Sequence, residues 1–210
     1  VMGKPHGRGK FTWTNGELVL DSANTNYSYG SLQRILRIGL LQIGFKKVAK
    51  MNHILILGVA GGSVVKTLIN EAGYKNKITG VEIDANVIEI AKKYFELDLI
   101  PNFDIILDDA FEFVLKTKEK YDLIIIDVFQ DTKMPNFLFE DFYINRLLEI
   151  LEPNGMFLFN TMCLTLADNF RNMDYLKLFD TEKVNVKTIP RIEAHNELII
   201  VEKLGNHPTP

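Results

Sequence analysis

From residue 54 onward, short runs of Ile, Leu, Val and Phe alternate with longer segments in which apolar residues recur every three or four positions. Runs that are apolar at every position predict strands buried on both faces. The longer period predicts helices that cover those faces, so the pattern is that of a parallel sheet between two helix layers. Strands are expected at 54–58, 78–82, 103–107, 122–126 and 155–160, with helices near 62–72, 85–97, 109–117 and 139–151. In the second helix, Val87, Ile88, Ala91, Tyr94 and Phe95 form the face expected to be buried.

Both ends break the alternation. Near the start, "KFTWT" and "ELVLD" flank Asn15-Gly16, a strong hairpin signal, and a helix around "YGSLQRILRIGLL" follows. Near the other end, "KVNVKTI" and "NELIIVEK" have no helix-length segment between them, so the last strand must run antiparallel to its neighbour. The expected organisation is a β-hairpin and helix over 1–50, an α/β domain over 51–205 and a disordered tail over 206–210.

Composition narrows the partners. With 210 residues, 47% of them hydrophobic and 24% charged, the chain can bury one ordinary core. A net charge of −3 gives no general attraction to nucleic acid or to an anionic membrane. The longest apolar runs, "ILIL" and "LIII", are strand-length, far short of the ~20 residues of a membrane-spanning helix, and the basic start "VMGKPHGRGK" lacks the apolar core of a signal peptide. Cys163 is the sole cysteine, which leaves no intrachain disulfide and no cysteine cluster for a metal; His6, His53, His195 and His207 share no metal-ligand spacing. The expectation is a soluble, cytoplasmic protein that handles a small solute without metal, nucleic acid or membrane.

The candidate chemistry begins at "GVAGGS", the turn after the first buried strand, where open parallel sheets place their ligands. A pyrophosphate turn of the form G-x-G-x-x-G would need glycine where Ala60 stands, so Gly58, Gly61 and Gly62 make a poor dinucleotide signal. A nucleoside without phosphates needs close backbone approach but no nest of amides, and this pattern permits it. Any tight strand-to-helix turn also favours glycine, and the turn alone does not decide. Two acids add weight: Glu82 ends the second strand, where a carboxylate can accept from both ribose hydroxyls, and Asp109 follows the third strand near the expected adenine edge. Acids at strand ends also cap helices, a role expected of Asp84 and Asp108, whereas Glu82 sits early for a cap.

These residues resemble the class I S-adenosylmethionine-dependent methyltransferase fold and, within it, the spermidine synthase family. "VEID" is similar to that family's Glu-Ile-Asp motif, "DDAFEFV" to its Asp-Gly-Phe-Glu-Phe segment and "YDLIIIDVFQD" to its "YDVIIVDSSDP" segment, over about residues 10–160. The resemblance implies a Rossmann-like nucleoside-binding domain with a mostly parallel seven-stranded sheet, an antiparallel last strand and an N-terminal hairpin. It implies that Glu82 holds the ribose and Asp109 the adenine amino group, with Gly58, Gly61, Gly62 and Ala110 allowing close approach. Asp127 would be the general base that takes a proton from an attacking amine. Tyr29, Gln33 and Asp131 would face the acceptor, and the N-terminal hairpin would pair in a homodimer. The co-substrate would be S-adenosylmethionine or its decarboxylated form, with no metal.

Some positions depart from the family pattern. Its glycine loop, "GGGDGG", carries an Asp where Gly61 stands, its "YxE" motif supplies a Glu where "YGSLQRIL" offers only Tyr29 and Gln33, and its strand-four loop has small residues where Val128 and Phe129 stand. Aminopropyl transfer to an amine therefore stands beside methyl transfer to a small molecule and beside a nucleoside-binding protein without catalysis; a nicotinamide enzyme is least favoured. The polar, aromatic stretch 25–33 is either a lid over the site or a helix start capped by Ser28. Phe129 is expected to pack in the core or a lid rather than stack on adenine, and Cys163 to be a small packed residue rather than a nucleophile.

Overall fold

A computed structural model of the chain describes residues 10–14, 17–21, 26–28, 31–129 and 133–205, with side chains from residue 34 onward. Strands β1 (Lys10–Thr14), β2 (Glu17–Asp21) and β3 (Asn26–Ser28) pair antiparallel in that order, with Lys10 opposite Asp21 and Thr14 opposite Glu17. The Asn15-Gly16 turn, the Ser28 side chain and the 206–210 tail lie outside the described residues. Helix α1 (Ser31–Ile43) and the single turn α2 (Phe45–Val48) lead into the main sheet.

That sheet contains β4 (His53–Leu57), β5 (Lys77–Glu82), β6 (Phe103–Leu107), β7 (Tyr121–Ile126), β8 (Leu151–Met162), β9 (Val184–Ile192) and β10 (Asn196–Lys203). Its order is β6-β5-β4-β7-β8-β10-β9; the first five in this order are parallel, and β10 runs antiparallel to both β8 and β9. Helices α3 (Ser63–Asn70), α4 (Ala85–Phe95), α5 (Ala110–Lys116), α6 (Asp141–Ile150) and α7 (Leu166–Lys177) complete the fold. This is the α/β architecture that the alternation of runs implied.

Strand periodicity builds two cores. Ile54, Ile56, Leu123, Ile125, Met156 and Leu158 face α1, α3 and α4 through Ile35, Leu36, Leu40, Val64, Leu68, Ala91 and Phe95. Their alternates Leu55, Leu57, Ile124, Ile126, Phe157 and Phe159 face α5, α6 and α7 through Val114, Tyr143, Leu147 and Tyr175. Successive strand residues point to opposite faces, so a strand with no polar position must be covered twice. His53 joins this scaffold: its Nε2 lies 2.9 Å from Thr79 Oγ1, and burial holds its pKa below the usual value.

Three local features differ from the sequence expectation. Tyr94 is 48% exposed, with the Lys93 ammonium 5.2 Å from its ring, and Ile90 packs against the core from α4 instead. Helix α7 was hidden because Leu166, Phe170 and Met173 lie exposed on it while polar Asn172 is buried, which blurs the apolar period; Thr165 and Asp168 form its capping box. Strand β8 starts earlier than expected, but its pairing is interrupted: Tyr121 lies opposite Leu151 and Leu123 opposite Met156, so the segment around Pro153 bulges from the ladder.

Gly80 sits mid-strand in β5, where an added Cβ would lie 2.6 Å from Val59 Cγ2 and 2.9 Å from the Phe103 ring. Gly80→Ala is expected to destabilise the protein by about 1–3 kcal/mol through overpacking. A shift of the urea midpoint with unchanged slope checks it.

Candidate functional site

The chain adds β5 and β6 on one side of β4 and then returns to add β7 and β8 on the other, so the loops after β4 and β7 diverge and open a crevice at their carboxyl ends. The ladder continues into that crevice. Gly58 N–H donates to Val81 O and Asp127 N–H donates to Leu57 O, both at 2.9 Å. Gly58 has φ of 86°, and a Cβ there would lie 2.3 Å from the Asp127 carbonyl oxygen, so glycine is needed for the two backbones to pass. Gly62, with φ of 74°, starts α3 in the left-handed region, while Ala60 enters the same region at 45° despite its side chain.

Glu82 closes this turn. Its Oε2 accepts from Val59 N–H at 3.2 Å and Ala60 N–H at 3.0 Å; its Oε1 accepts from Ile83 N–H at 3.0 Å and Asp84 N–H at 3.2 Å. Four backbone donors meet one carboxylate, which compensates its charge without a cation. Asp84 caps α4 by accepting from Asn86 N–H at 2.8 Å, as expected. The other cap is corrected: Asp109, not Asp108, caps α5 through Phe111 N–H at 2.8 Å, while Asp108 accepts from Asp109 N–H. The helix starts one residue later than expected, at buried Ala110, which moves the cap along by one. Beside these acids, Ile83 is 63% and Leu107 57% exposed, and Leu107 pairs with Glu82 across the parallel ladder. Sequence reasoning missed both, because apolar residues at strand ends read as core.

Asp127 is half-buried at the end of β7, on the far side of the glycine turn from Glu82. Burial pushes its pKa up to about 6; a hydrogen bond from Asn160 opposes the rise, and the negative charge of Glu82 adds to it. Asn160 Nδ2 donates to Asp127 Oδ1 at 2.9 Å, and Asn196 Nδ2 donates to Asn160 Oδ1 at 2.9 Å. These two buried amides were also missed; the available signal was a polar residue closing the apolar run "FLFN".

Phe129 packs against the α5–α6–α7 core. Cys163 accepts a hydrogen bond from Asn172 Nδ2 at 3.2 Å, and burial raises its thiol pKa, which suits a packed residue. Gly61 has no left-handed φ. Tyr29 and Asp131 lie outside the described residues; Gln33 lies in α1, with its side chain outside them. Among the described residues, no group of three or more His, Cys, Asp or Glu could hold a metal ion, and no helix is long and apolar enough to cross a membrane.

A parallel sheet with a reversed last strand, and a glycine turn faced by strand-end acids, defines an α/β protein of the class I methyltransferase fold. Residues 38–194 match the model of the spermine/spermidine synthase domain, and the chain belongs to that family. It is 34% identical over 155 residues to a polyamine aminopropyltransferase of Buchnera aphidicola, a match covering 66% of this chain and 52% of that protein. The chain thus spans about half the length of that relative. Among solved structures, a probable spermidine synthase from Corynebacterium glutamicum aligns with a TM-score of 0.75 at 17% identity, over 100% of this chain and 82% of that one. Human methyltransferase-like protein 13 in complex with SAH aligns with a TM-score of 0.68 at 20% identity, over 87% and 86%. At such identities the structures attest the fold.

Two outcomes follow from the site's electrostatics. Glu82→Gln puts an amide NH₂ against two backbone donors, so it is expected to cost about 1–3 kcal/mol and to speed hydrogen exchange at Val59 and Ala60 or at Ile83 and Asp84. The Asp127 carboxyl binds its proton more tightly when folded, at about 6 against 3.8 for the free group. The folded state therefore binds more protons than the unfolded state between those values, and its contribution to stability is lost as pH rises through that window, by up to about 3 kcal/mol. Asp127→Asn is expected to flatten this slope in urea titrations from pH 4 to 7.

Proposed function

We propose that the chain is an aminopropyltransferase that uses decarboxylated S-adenosylmethionine as donor and a small amine as acceptor. The observation that carries this reading is the placement of Asp127 beside the glycine turn and across it from Glu82, with a carboxyl pKa of about 6. At neutral pH such a carboxylate is mostly ionised and still basic enough to take a proton from an amine.

In this reading the ribose hydroxyls take the places of the Val59 and Ala60 amides on Glu82, and the adenine amino group donates to the Asp109 oxygen that the α5 cap leaves free. Gly58, Gly61, Gly62 and Ala110 let the nucleoside approach the backbone. Exposed Ile83 and Leu107 offer apolar surface to its base. The amine lone pair forms a bond to the propyl carbon beside the sulfonium as the carbon–sulfur bond breaks; the sulfur leaves as a neutral thioether, and the nitrogen's proton passes to Asp127. A sulfonium is already a good leaving group, so the residues contribute mainly by positioning and proton removal. By the family resemblance, Tyr29, Gln33 and Asp131 are assigned to acceptor binding. The family name of the relative and the shared fold support this reading.

The test is turnover of decarboxylated S-adenosylmethionine with putrescine, read by product mass, which separates aminopropyl from methyl addition. Asp127→Asn is expected to lower kcat by about 10²–10⁴ while calorimetry shows nucleoside affinity within a few-fold of the parent. In the parent, kcat should rise with pH through about 6 as the base loses its proton. An Asp127→Asn variant with parental turnover would overturn the assignment.

A further inference from the structure

Asn160 and Asn196 stand out from their surroundings. Their neighbours on this face of β8 and β10 are apolar: Leu158, Leu198 and Ile200 fill the core toward α1. Asn160 lies opposite Leu198 and Asn196 opposite Met162, and both amides are buried. Burying two amides costs stability unless each is hydrogen-bonded, and an apolar pair would fill the same space at no such cost. Packing alone does not account for them.

Their geometry has a direction. An amide nitrogen only donates and an amide oxygen only accepts. Asn196 Nδ2 donates to Asn160 Oδ1, which turns the Asn160 Nδ2 toward Asp127 Oδ1. The reverse orientation of Asn160 would set its carbonyl against the carboxylate. From this we infer that Asn196 and Asn160 form a one-way relay that keeps Asp127 Oδ1 as a pure acceptor and leaves Oδ2 as the atom that receives the substrate's proton. Both are positioning residues, and the inference deepens the general-base reading on which it rests. Among the described residues, the charged group acting on Asp127 is Glu82 at the end of β5, which favours the protonated form, so the donor from β8 is the opposing influence.

The relay is tested on the full chain by following the Asp127 carboxyl carbon in ¹³C NMR titrations of the parent, Asn160→Leu and Asn196→Leu. The parent should titrate at about 6. Asn160→Leu should move the midpoint up by about one pH unit, since a hydrogen bond to a charged group is lost. Asn196→Leu should move it in the same direction by less, because Asn160 is then free to turn its carbonyl toward a protonated Asp127. In steady-state assays with decarboxylated S-adenosylmethionine and putrescine, the acid limb of kcat should follow these midpoints, with about a threefold loss at pH 6.5 for Asn160→Leu and KM for the donor nearly unchanged. A purely structural role would lower the melting temperature without moving the midpoint. If Asn160→Leu does not fold, Asn196→Leu alone decides. Parental midpoints in the folded variants overturn the relay. The titration needs no turnover, so failure of the relay is distinguishable from failure of the aminopropyl reading, which shows in the parent's products.

Discussion

Everything at this site depends on two backbones passing within contact distance at the centre of the sheet. Gly58 leaves β4 just where Asp127 leaves β7, and no side chain fits between them. That contact is possible because β4 and β7 are hydrogen-bonded neighbours up to Leu57 and Ile126, and the ladder carries on to the Asp127 amide. Since β4 is buried on both faces by separate helix layers, neither backbone can move aside without disturbing both cores. The crevice inherits its shape from that constraint.

Electrostatics at the rim follow from the same geometry. Glu82, Asp108, Asp109 and Asp127 all lie at carboxyl ends of parallel strands, yet none has a salt-bridge partner among the described residues. Each is held instead by dipoles: Glu82 by four backbone amides, Asp109 by the first turn of α5, Asp127 by a side-chain amide. Asp127, with a single donor, is the one of these whose pKa burial raises. A rim of acids without cations suits a positively charged ligand, and the acid whose pKa burial raises is the one best suited to exchange a proton.

The C-terminal strands bear on the site from behind. Because β10 runs antiparallel beside β8, its first residue, Asn196, arrives at the same end of the sheet as the last residues of β8. An antiparallel last strand thus brings a side chain from near the end of the chain to within one amide of Asp127. On the opposite face, Asn172 of α7 bonds Thr161, Cys163 and Glu197 together, and the Arg171 guanidinium sits 4.2 Å from the centre of the Phe139 ring. These polar contacts tie α7 to the sheet where its apolar face alone would hold it weakly.

What the sequence determined by itself was whatever repeats along the chain or turns on one residue. Strands apolar at every position could only be buried twice, which settled the layered parallel sheet, and the absence of a helix between the last two strands settled the reversed last strand. The glycine turn, Glu82 and Asp109 were legible as candidates because they stand where strands end, and strand ends of a parallel sheet converge whatever the loops do, whereas Asp127 was legible only through the family resemblance. Tertiary structure decided what depends on neighbours distant in sequence. Helix α7 is not legible in the sequence because apolar Leu166, Phe170 and Met173 are exposed on it while polar Asn172 is buried beside Tyr175, and the cap of α5 falls on Asp109 because the first turn starts one residue later. Asn160 and Asn196 stand 36 residues apart and are ordinary amides in the sequence; only the pairing of β8 with β10 sets one behind the other and both behind Asp127.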